Sequence, residues 1–283
     1  MASRLMFFVL MLSLLMPLPA SAAARRIITL YPGHTDNVIA LGGESLLVGI
    51  SKNDDAKILP KVPRFTAKSG PEAILALKPD LVLTRDLIER QNPQLRSVLE
   101  RAGVKVVSIE APDWDEFPAY LRKIAELIGS DPKAAEDKLK KIRSDIAAAA
   151  EKASHGKKPS VFVEATSKEL YTCSPDSWAA RLIALAGGKN AAPDAKPRRS
   201  GSAVAPYGLE RILRSAAEGK IDIYLIQNGT MNGADLSALE ARSWYPALNN
   251  VKKAVIPERE LSRPSLLGRE AGGRKLIKIF YGE

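Results

Sequence analysis

The sequence predicts an α/β protein of two lobes, each with a mainly parallel sheet flanked by helices, joined by one long helix. Two observations lead to this prediction. Short apolar runs alternate with helical patterns from Ile27 to Ile128, and the same alternation returns after Ser160. Between the two halves, residues 131–154 form one uninterrupted helical pattern. Apolar strands that alternate with helices at this spacing are typical of parallel sheets covered on both faces.

In the first half, four apolar runs predict buried strands, and the segments between or after them predict helices. The predicted strands are residues 27–30, 46–50, 80–84 and 104–108. The predicted helices are residues 35–41, 71–77, 87–102 and 114–128.

The predicted long helix lies in the middle of the chain. Asp131 is a suitable N-cap, and Pro132 follows at the first helical position, where a missing N–H is tolerated. Leu139, Ile142 and Ile146 form an apolar stripe. At 1.5 Å per residue the helix is roughly 35 Å long. This length suits a strut between two lobes, although a helix that packs along one domain is the alternative.

The second half predicts a similar set of elements. Strands are expected at residues 160–164, 221–226 and 254–257, and helices at residues 176–186, 208–217 and 264–280. The stretch 189–205 is polar and rich in Pro and Gly, which predicts a surface loop. Gly272 and Gly273 lie inside the last predicted helix. Glycine lowers helix stability, so we expect a weak point there.

The first 22 residues have the pattern of an export signal. Arg4 gives the positive start, residues 5–18 are an apolar run, and Ala20-Ser21-Ala22 is a small-residue cleavage site. A signal anchor is the alternative, but the run is short and interrupted by Pro. We expect cleavage between Ala22 and Ala23. No cysteine lies directly after the predicted cleavage site to accept a lipid, so the mature protein is expected in an exported compartment without a membrane anchor. The predicted domains are therefore a signal peptide (1–22), an N-terminal lobe (23–130), a linking helix (131–156) and a C-terminal lobe (157–283).

Composition excludes several kinds of site. Cys173 is the only cysteine, so no internal disulfide is possible. His34 and His155 are the only histidines, which excludes a transition-metal site built from several histidines. The net charge is +10, but the basic residues are scattered and have few aromatic neighbours, which argues against nucleic acid as a partner. The charge is either ordinary solvated surface or a means of attracting an anionic ligand.

The sequence contains no catalytic motif. It has no phosphate-binding loop, no Gly-rich dinucleotide fingerprint and no nucleophile elbow. An exported two-lobed α/β enzyme, such as a metal-dependent hydrolase, is the competing class, but two histidines nearly forbid the metal set that it needs. We therefore predict a protein that is not an enzyme and that holds no metal or cofactor of its own.

Aromatic and basic side chains recur at predicted strand ends and in loops of both halves. Such residues give a cleft flat apolar faces and a few positive groups, which suits a bulky, partly anionic ligand. Packing is the alternative for each of them. His34 follows the first strand, where a ligand contact and a loop hydrogen bond are both open. The candidate ligand-binding residues are Tyr31, His34, Arg85, Trp114, Trp178, Tyr207, Trp244 and Arg263.

Two glutamates lie in similar sequence motifs in the two halves of the chain. Glu72 lies at the start of a short helix that leads into the strand at 80–84, and Glu210 lies at the start of one that leads into the strand at 221–226. One acidic residue in each lobe suggests twofold docking onto a basic partner. The alternative is that both carboxylates are simply favourable charges at helix N-termini.

Several sequence segments, spread over nearly the whole mature chain, resemble those of a known family. They are residues 31–42 (YPGHTDNVIALG), 47–51 (LVGIS), 71–83 (PEAILALKPDLVL), 177–190 (SWAARLIALAGGKN) and the phrase around Glu210. Together they resemble the periplasmic substrate-binding proteins of ABC importers for iron-siderophores, haem and cobalamin. The resemblance implies two lobes joined by one rigid helix and a ligand held in the cleft between them. It also implies that Glu72 and Glu210 pair with arginines on the two permease subunits.

The resemblance implies a periplasmic protein, expected to be a monomer, that captures a metal chelate and delivers it to the membrane permease. The net positive charge favours an iron-siderophore as the ligand, with a corrinoid next and haem third. A haem-importer component, or a sensor or chelate chaperone without an importer, is an alternative. Asp36 stands where the family often has Glu, and Trp178 places an indole where smaller groups are common. That indole either shapes the pocket or packs.

Overall fold

The computed structural model describes residues 23–230 and 232–282. The predicted signal peptide, residues 1–22, lies outside the described residues. The described chain forms an α/β fold whose elements surround two separate parallel sheets, as the sequence predicts. We call the elements of the first sheet the N-terminal lobe and those of the second the C-terminal lobe. No helix in the described part of the chain is long and apolar enough to cross a membrane.

The N-terminal lobe holds a five-stranded, fully parallel sheet in the order β3-β2-β1-β4-β5. Its strands are β1 (Ile27–Thr29), β2 (Leu47–Ser51), β3 (Arg64–Phe65), β4 (Leu81–Thr84) and β5 (Lys105–Ser108). Its helices are α1 (Pro32–Ala40), α2 (Pro71–Leu75), α3 (Asp86–Gln91), α4 (Leu95–Arg101) and α5 (Phe117–Ile128). The four predicted strands are confirmed, and β3 is an additional short edge strand.

The predicted helix at 87–102 is wrong in one respect, because it is two helices. Asn92 has φ −140° and ψ 74°, which is not helical, and it ends α3. Pro93 follows it. Proline lacks the backbone N–H that would continue the helix and disfavours helical geometry in the residue before it.

The C-terminal lobe holds a four-stranded parallel sheet in the order β11-β10-β6-β8, with a separate antiparallel pair, β7 and β9. The strands are β6 (Ser160–Glu164), β7 (Tyr171–Cys173), β8 (Lys189–Asn190), β9 (Val204–Pro206), β10 (Ile223–Asn228) and β11 (Lys252–Pro257). The helices are α7 (Trp178–Leu185), α8 (Leu209–Ala217), α9 (Leu236–Glu240), α10 (Glu258–Leu261) and α11 (Leu266–Tyr281). The predicted loop at 189–205 is therefore corrected at both ends, where β8 and the start of β9 pair with neighbouring strands.

Helix α6 (Pro132–Ser154) is the predicted long helix. Asp131 caps it by accepting a hydrogen bond of 2.9 Å from the backbone N of Lys133. Its buried stripe, Leu139, Ile142 and Ile146, packs against α5 of one lobe and α11 of the other. Each of these side chains stabilises the fold by about 1.5–3 kcal/mol. One continuous apolar core therefore includes residues of α6 and of both lobes.

The glycine pair in α11 has a different role from the predicted weak point. The helix is continuous through Gly272 and Gly273, and both are buried. A Cβ at position 272 would lie 1.8 Å from the carbonyl oxygen of Glu260, and one at 273 would lie 2.5 Å from Cδ1 of Ile146. The missing side chains let α11 approach α10 and α6 closely, so tertiary packing outweighs the low helix propensity of glycine.

Candidate functional site

A cleft of about 350 Å³ lies between the two sheets. Strands β1 and β4 of the N-terminal lobe end next to it, and their following residues, Tyr31 and Arg85, line it. From the C-terminal lobe, Glu258 follows β11 into the same cleft, and Arg263 reaches it from the connection between α10 and α11. The carboxyl ends of parallel strands are where such sheets hold their ligands.

Tyr31 and Arg85 form one wall of the cleft. The Arg85 guanidinium carbon lies 4.4 Å from the centroid of the Tyr31 ring, and its Nη2 donates to Oε2 of Glu110 at 3.3 Å. Burial raises the pKa of Tyr31 to about 12, so its phenol is protonated at neutral pH. The wall thus offers a ligand a flat ring, a hydroxyl and a guanidinium.

Arg263 links the cleft to a buried ionic network between the lobes. Its Nη2 lies 3.0 Å from Oε2 of Glu258, and its Nη1 lies 3.4 Å from Oδ2 of Asp36 in α1. Arg259 also contacts Asp36, at 3.4 Å, and reaches Asp55 at 3.6 Å. Asp36 is fully buried. Burial raises the pKa of Asp36, although Arg263 and Arg259 act in the opposite direction.

Asn37, next to Asp36, joins the lobes through neutral hydrogen bonds. Its Nδ2 donates to the carbonyl of Pro264 at 2.9 Å, and its Oδ1 accepts from the backbone N of Leu266 at 3.0 Å. Helix α1 is therefore fastened by charged contacts to α10 and to the connection after it, and by neutral contacts to that connection and the start of α11. These contacts fix Arg263 at the edge of the cleft.

The cleft carries more positive than negative groups. Lys52, Arg85 and Arg263 line it, against the single carboxylate of Glu258. Lys52 is exposed, and it forms no ion pair within the described part of the chain. Arg85 is already paired with Glu110, and Arg263 with Glu258 and Asp36, so among the described residues Lys52 is the lining cation left to attract a ligand that carries negative charge.

His34 lies beneath the cleft and is fully buried. Burial lowers its pKa to about 4, so the ring is neutral at pH 7. Its Nε2 is 3.1 Å from the carbonyl oxygen of Thr84, which can only accept, so Nε2 carries the proton. Nδ1 then accepts from the hydroxyl of Tyr120 at 2.8 Å. The ring joins α1, β4 and α5, in line with the hydrogen-bonding alternative considered for this residue.

Trp114 and Trp178 line a separate groove of about 270 Å³. Their ring centroids are 4.9 Å apart, and Nε1 of Trp178 donates to the carbonyl of Pro112 across the lobe boundary at 2.8 Å. Behind them lies Arg269, whose guanidinium carbon is 4.0 Å from the Trp114 ring and 4.6 Å from the Trp178 ring. The structure therefore does not bring these two indoles to the cleft that Tyr31 lines.

The remaining two aromatic candidates lie within the C-terminal lobe. The ring of Tyr207 packs 5.5 Å from that of Phe162 and lies under the guanidinium of Arg211 at 3.9 Å. The ring of Trp244 packs 6.2 Å from that of Tyr224, in the same apolar cluster. Of the eight predicted ligand residues, the structure thus brings Tyr31, Arg85 and Arg263 together.

Sequence reasoning missed several residues of the cleft. Lys52, Thr66, Thr230 and Glu258 line it, and each follows closely on the end of a strand. Their positions in the sequence could have identified them, because polar residues after the carboxyl ends of parallel strands face the ligand crevice. Among the described residues, no group of three or more His, Cys, Asp and Glu side chains could hold a bare metal ion.

A buried cluster in the C-terminal lobe was also missed. Glu164, the last residue of β6, is fully buried and pairs with Arg242 through two contacts of 2.6 and 2.9 Å. The hydroxyl of Tyr224 donates to the same carboxylate at 2.5 Å, and Nδ2 of Asn232 donates to it at 3.3 Å. Through Asn232 the cluster holds the segment after β10 against the sheet. This contact helps to fix the position of Thr230 in the cleft.

Glu72 and Glu210 occupy equivalent places in the two lobes. Each is the second residue of a short helix, α2 or α8, and each helix directly follows a glycine. Gly208 has φ 88°, a conformation that favours glycine. Both glutamates are exposed, and neither forms an ion pair within residues 23–230 and 232–282. Their carboxylates therefore face solvent.

The fold and the interlobe cleft define a two-lobed binding protein. The family model described as periplasmic binding protein matches residues 27–253, and the chain belongs to that family. Members of this family bind solutes outside the cytoplasm, in the periplasm or the extracellular space.

The individual relatives that the chain resembles share about 30% of their residues with it over the matched region. The chain is 29% identical over 180 residues to an uncharacterized ABC transporter substrate-binding lipoprotein of Bacillus subtilis, a match that covers 60% of this chain and 56% of the relative. It is 30% identical over 186 residues to the vitamin B12-binding protein of Pectobacterium atrosepticum, covering 62% of this chain and 65% of the relative. The matched region thus spans less than two thirds of the length of either relative.

Solved structures share the fold over nearly the whole chain. A possible iron-binding, periplasmic solute-binding protein of Staphylococcus epidermidis superposes with a TM-score of 0.72 at 24% identity, covering 92% of this chain and 100% of the other. A periplasmic heme-binding protein of Pseudomonas aeruginosa gives a TM-score of 0.69 at 20% identity, covering 92% and 94%. At these identities the likeness shows the fold.

Proposed function

We propose that this protein is the periplasmic solute-binding component of an ABC importer, and that it captures a metal chelate in the cleft between its lobes. The observation that carries the proposal is the cleft itself, because Tyr31 and Arg85 from one lobe face Arg263 from the other. A bulky chelate with acidic groups fits a site that combines a flat ring with cationic side chains.

The ligand class follows from the same chemistry. Lys52, together with the paired guanidinium groups of Arg85 and Arg263, favours a chelate with peripheral negative charge, which an iron-siderophore or haem supplies. A corrinoid is the second candidate, supported by the names of the vitamin B12-binding relatives. The metal arrives as part of the ligand, so the protein needs no metal site of its own.

Delivery to the permease is assigned to Glu72 and Glu210. In each lobe one exposed carboxylate, without an ion pair to any described residue, gives a permease dimer a point of contact. Arginine is the natural partner for a carboxylate because it can form two parallel hydrogen bonds. Both acids must be correctly spaced for both contacts to form. Docking on the permease therefore depends on how the two lobes are placed relative to each other.

A thermal-shift screen of the purified exported protein tests the binding role. The ligands are ferric siderophores, haem, cobalamin and cobinamide, each compared with the protein in the same buffer without ligand. A ligand at one hundred times its Kd stabilises the folded state by about 2.7 kcal/mol. One strong shift identifies the ligand class. Absence of a shift with all of them argues against chelate capture and leaves the family assignment in place.

A further inference from the structure

The positive charge of the protein is concentrated in its C-terminal half. Residues 157–283 contain 20 Lys and Arg against 13 Asp and Glu, whereas residues 23–130 contain 15 against 14. Most of the net charge of +10 therefore belongs to one lobe. An interlobe cleft that attracts an anion does not require this imbalance, because its cations come from both lobes.

A basic groove of about 640 Å³ lies at the surface of this lobe. Its walls include residues at or next to the N-terminal ends of β6, β8 and β10, so it is distinct from the cleft at their carboxyl ends. Five cations line it, against three acids. The five are Lys158, Lys189, Arg211, Arg214 and Lys220.

Three of the five cations are available to a partner. Lys158, Lys189 and Arg214 are exposed, and none forms an ion pair with another described residue. The other two are engaged, Arg211 with Asp194 and Lys220 with Glu218.

The basic surface continues beyond the groove. Pro193 and Asp194 line its edge, and the chain then presents Lys196, Arg198 and Arg199, all exposed. No ion pair involves these three within the described chain. We call the groove and this segment together the basic face.

We propose that the basic face binds the anionic phospholipid headgroups of the membrane that holds the permease. Six of its cations form no ion pair among the described residues, and they are spread over an open surface on long, flexible side chains. Such a surface complements a layer of negative charge better than a single small anion, which needs converging, preorganised donors. Each Lys or Arg near an anionic bilayer strengthens binding by roughly a factor of five.

The position of the basic face agrees with this assignment. Arg211 and Arg214 lie on α8, the helix that also carries Glu210. If Glu210 docks on the permease, α8 is brought to the membrane, and the basic face is brought with it. This orientation rests on the proposed function, whereas the charge distribution does not. Lipid contact would keep the protein near the membrane and limit its search for the permease to two dimensions.

Vesicle co-sedimentation tests the proposal. The exported protein is mixed with vesicles of phosphatidylcholine alone or of phosphatidylcholine with phosphatidylglycerol. The test variant combines Lys158→Gln, Lys189→Gln and Arg214→Gln. The control combines Lys133→Gln, Lys140→Gln and Lys141→Gln on α6, which removes the same charge from side chains that are 79%, 72% and 76% exposed.

We expect selective, salt-sensitive binding of the wild type to anionic vesicles. We expect the test variant to bind on the order of 100-fold more weakly, and the control to stay close to wild type. Equal loss in both variants, or no preference of the wild type for anionic vesicles, overturns the proposal. So does release by inorganic phosphate at constant ionic strength, because that result indicates a discrete phosphate site. Chelate binding by the same preparations reports the proposed function separately, since the three residues do not line the interlobe cleft.

Discussion

Asp36 and Arg263 lie 227 positions apart in the sequence, yet Oδ2 of the first and Nη1 of the second are 3.4 Å apart across the lobe boundary. Asp36 is fully buried, and Arg263 also pairs with Glu258 at the edge of the cleft. The pair therefore connects the interface between the lobes to the proposed ligand site. Its removal should affect both stability and ligand position.

We predict that Asp36→Asn lowers the free energy of unfolding by about 2–4 kcal/mol, because it leaves the buried guanidinium of Arg263 and the half-buried guanidinium of Arg259 with one anionic partner fewer. Chemical denaturation measures the change. The matched control is Asp86→Asn, which breaks an exposed pair with Arg90 and should cost less than about 1 kcal/mol. Equal losses in the two variants would show that the interlobe pair contributes no more than a surface pair.

Arg269 provides a second test of buried charge. Its guanidinium lies 4.0–4.7 Å from the rings of Trp114, Phe117 and Trp178, and none of its nitrogens has a hydrogen-bond partner among the described residues. Burial, followed by the charge of Arg143, lowers the pKa of Arg269 to about 8, so the group is still charged at neutral pH.

We predict that Arg269→Met leaves stability unchanged or raises it by about 1–3 kcal/mol, because an apolar side chain of similar length removes the desolvation cost. The lost cation–π contacts, worth about 2 kcal/mol when desolvated, limit the gain. Arg269→Ala should instead destabilise by leaving a cavity. Thermal and urea unfolding compare the two. A Met variant clearly less stable than wild type would mean that the cation–π contacts of Arg269 with the three rings contribute more than its desolvation costs.

Asp54 predicts a pH dependence of stability. It is buried, and burial raises the pKa of Asp54 from its ordinary value to about 6. Because the folded-state pKa exceeds the unfolded value, the stabilising contribution is complete below about pH 4 and is lost as pH rises through 6.

We therefore expect Asp54→Asn to remove a decline of roughly 2 kcal/mol in unfolding free energy between pH 4 and pH 7. Denaturant unfolding across this range measures it, with exposed Asp113→Asn as the control. Parallel profiles for wild type and Asp54→Asn would contradict the assignment.

The docking proposal predicts a separation of transport from binding. Glu72→Ala combined with Glu210→Ala should reduce ligand uptake by at least about tenfold, since an interfacial charge pair that loses one partner costs about 2–5 kcal/mol. Ligand affinity should not change. Exposed Glu44→Ala with Glu240→Ala is the matched control. Wild-type uptake by the docking variant, or loss of its ligand affinity, would rule out the docking role.

The strands, the long helix and the order of elements could be predicted because hydrophobic periodicity and capping are local signals. Tyr31 and Arg85 could be placed at the cleft because they directly follow parallel strands. The pairing of Asp36 with Arg263 could not, since no local pattern records a contact between residues so distant in sequence. The aromatic candidates show the same limit. Trp114 and Trp178 surround Arg269, and Tyr207 packs on Phe162, because burial of apolar area decides the direction of each ring.

The proposed function places the chelate in the interlobe cleft. Isothermal titration of the ligand identified by the screen tests it on wild type, on Arg85→Gln and on the surface control Arg90→Gln. We predict one site per chain, affinity roughly 10–100-fold weaker in Arg85→Gln because a hydrogen bond to a charged group is lost, and no change in Arg90→Gln. Unchanged affinity in Arg85→Gln, with tight binding by wild type, would place the ligand outside the interlobe cleft.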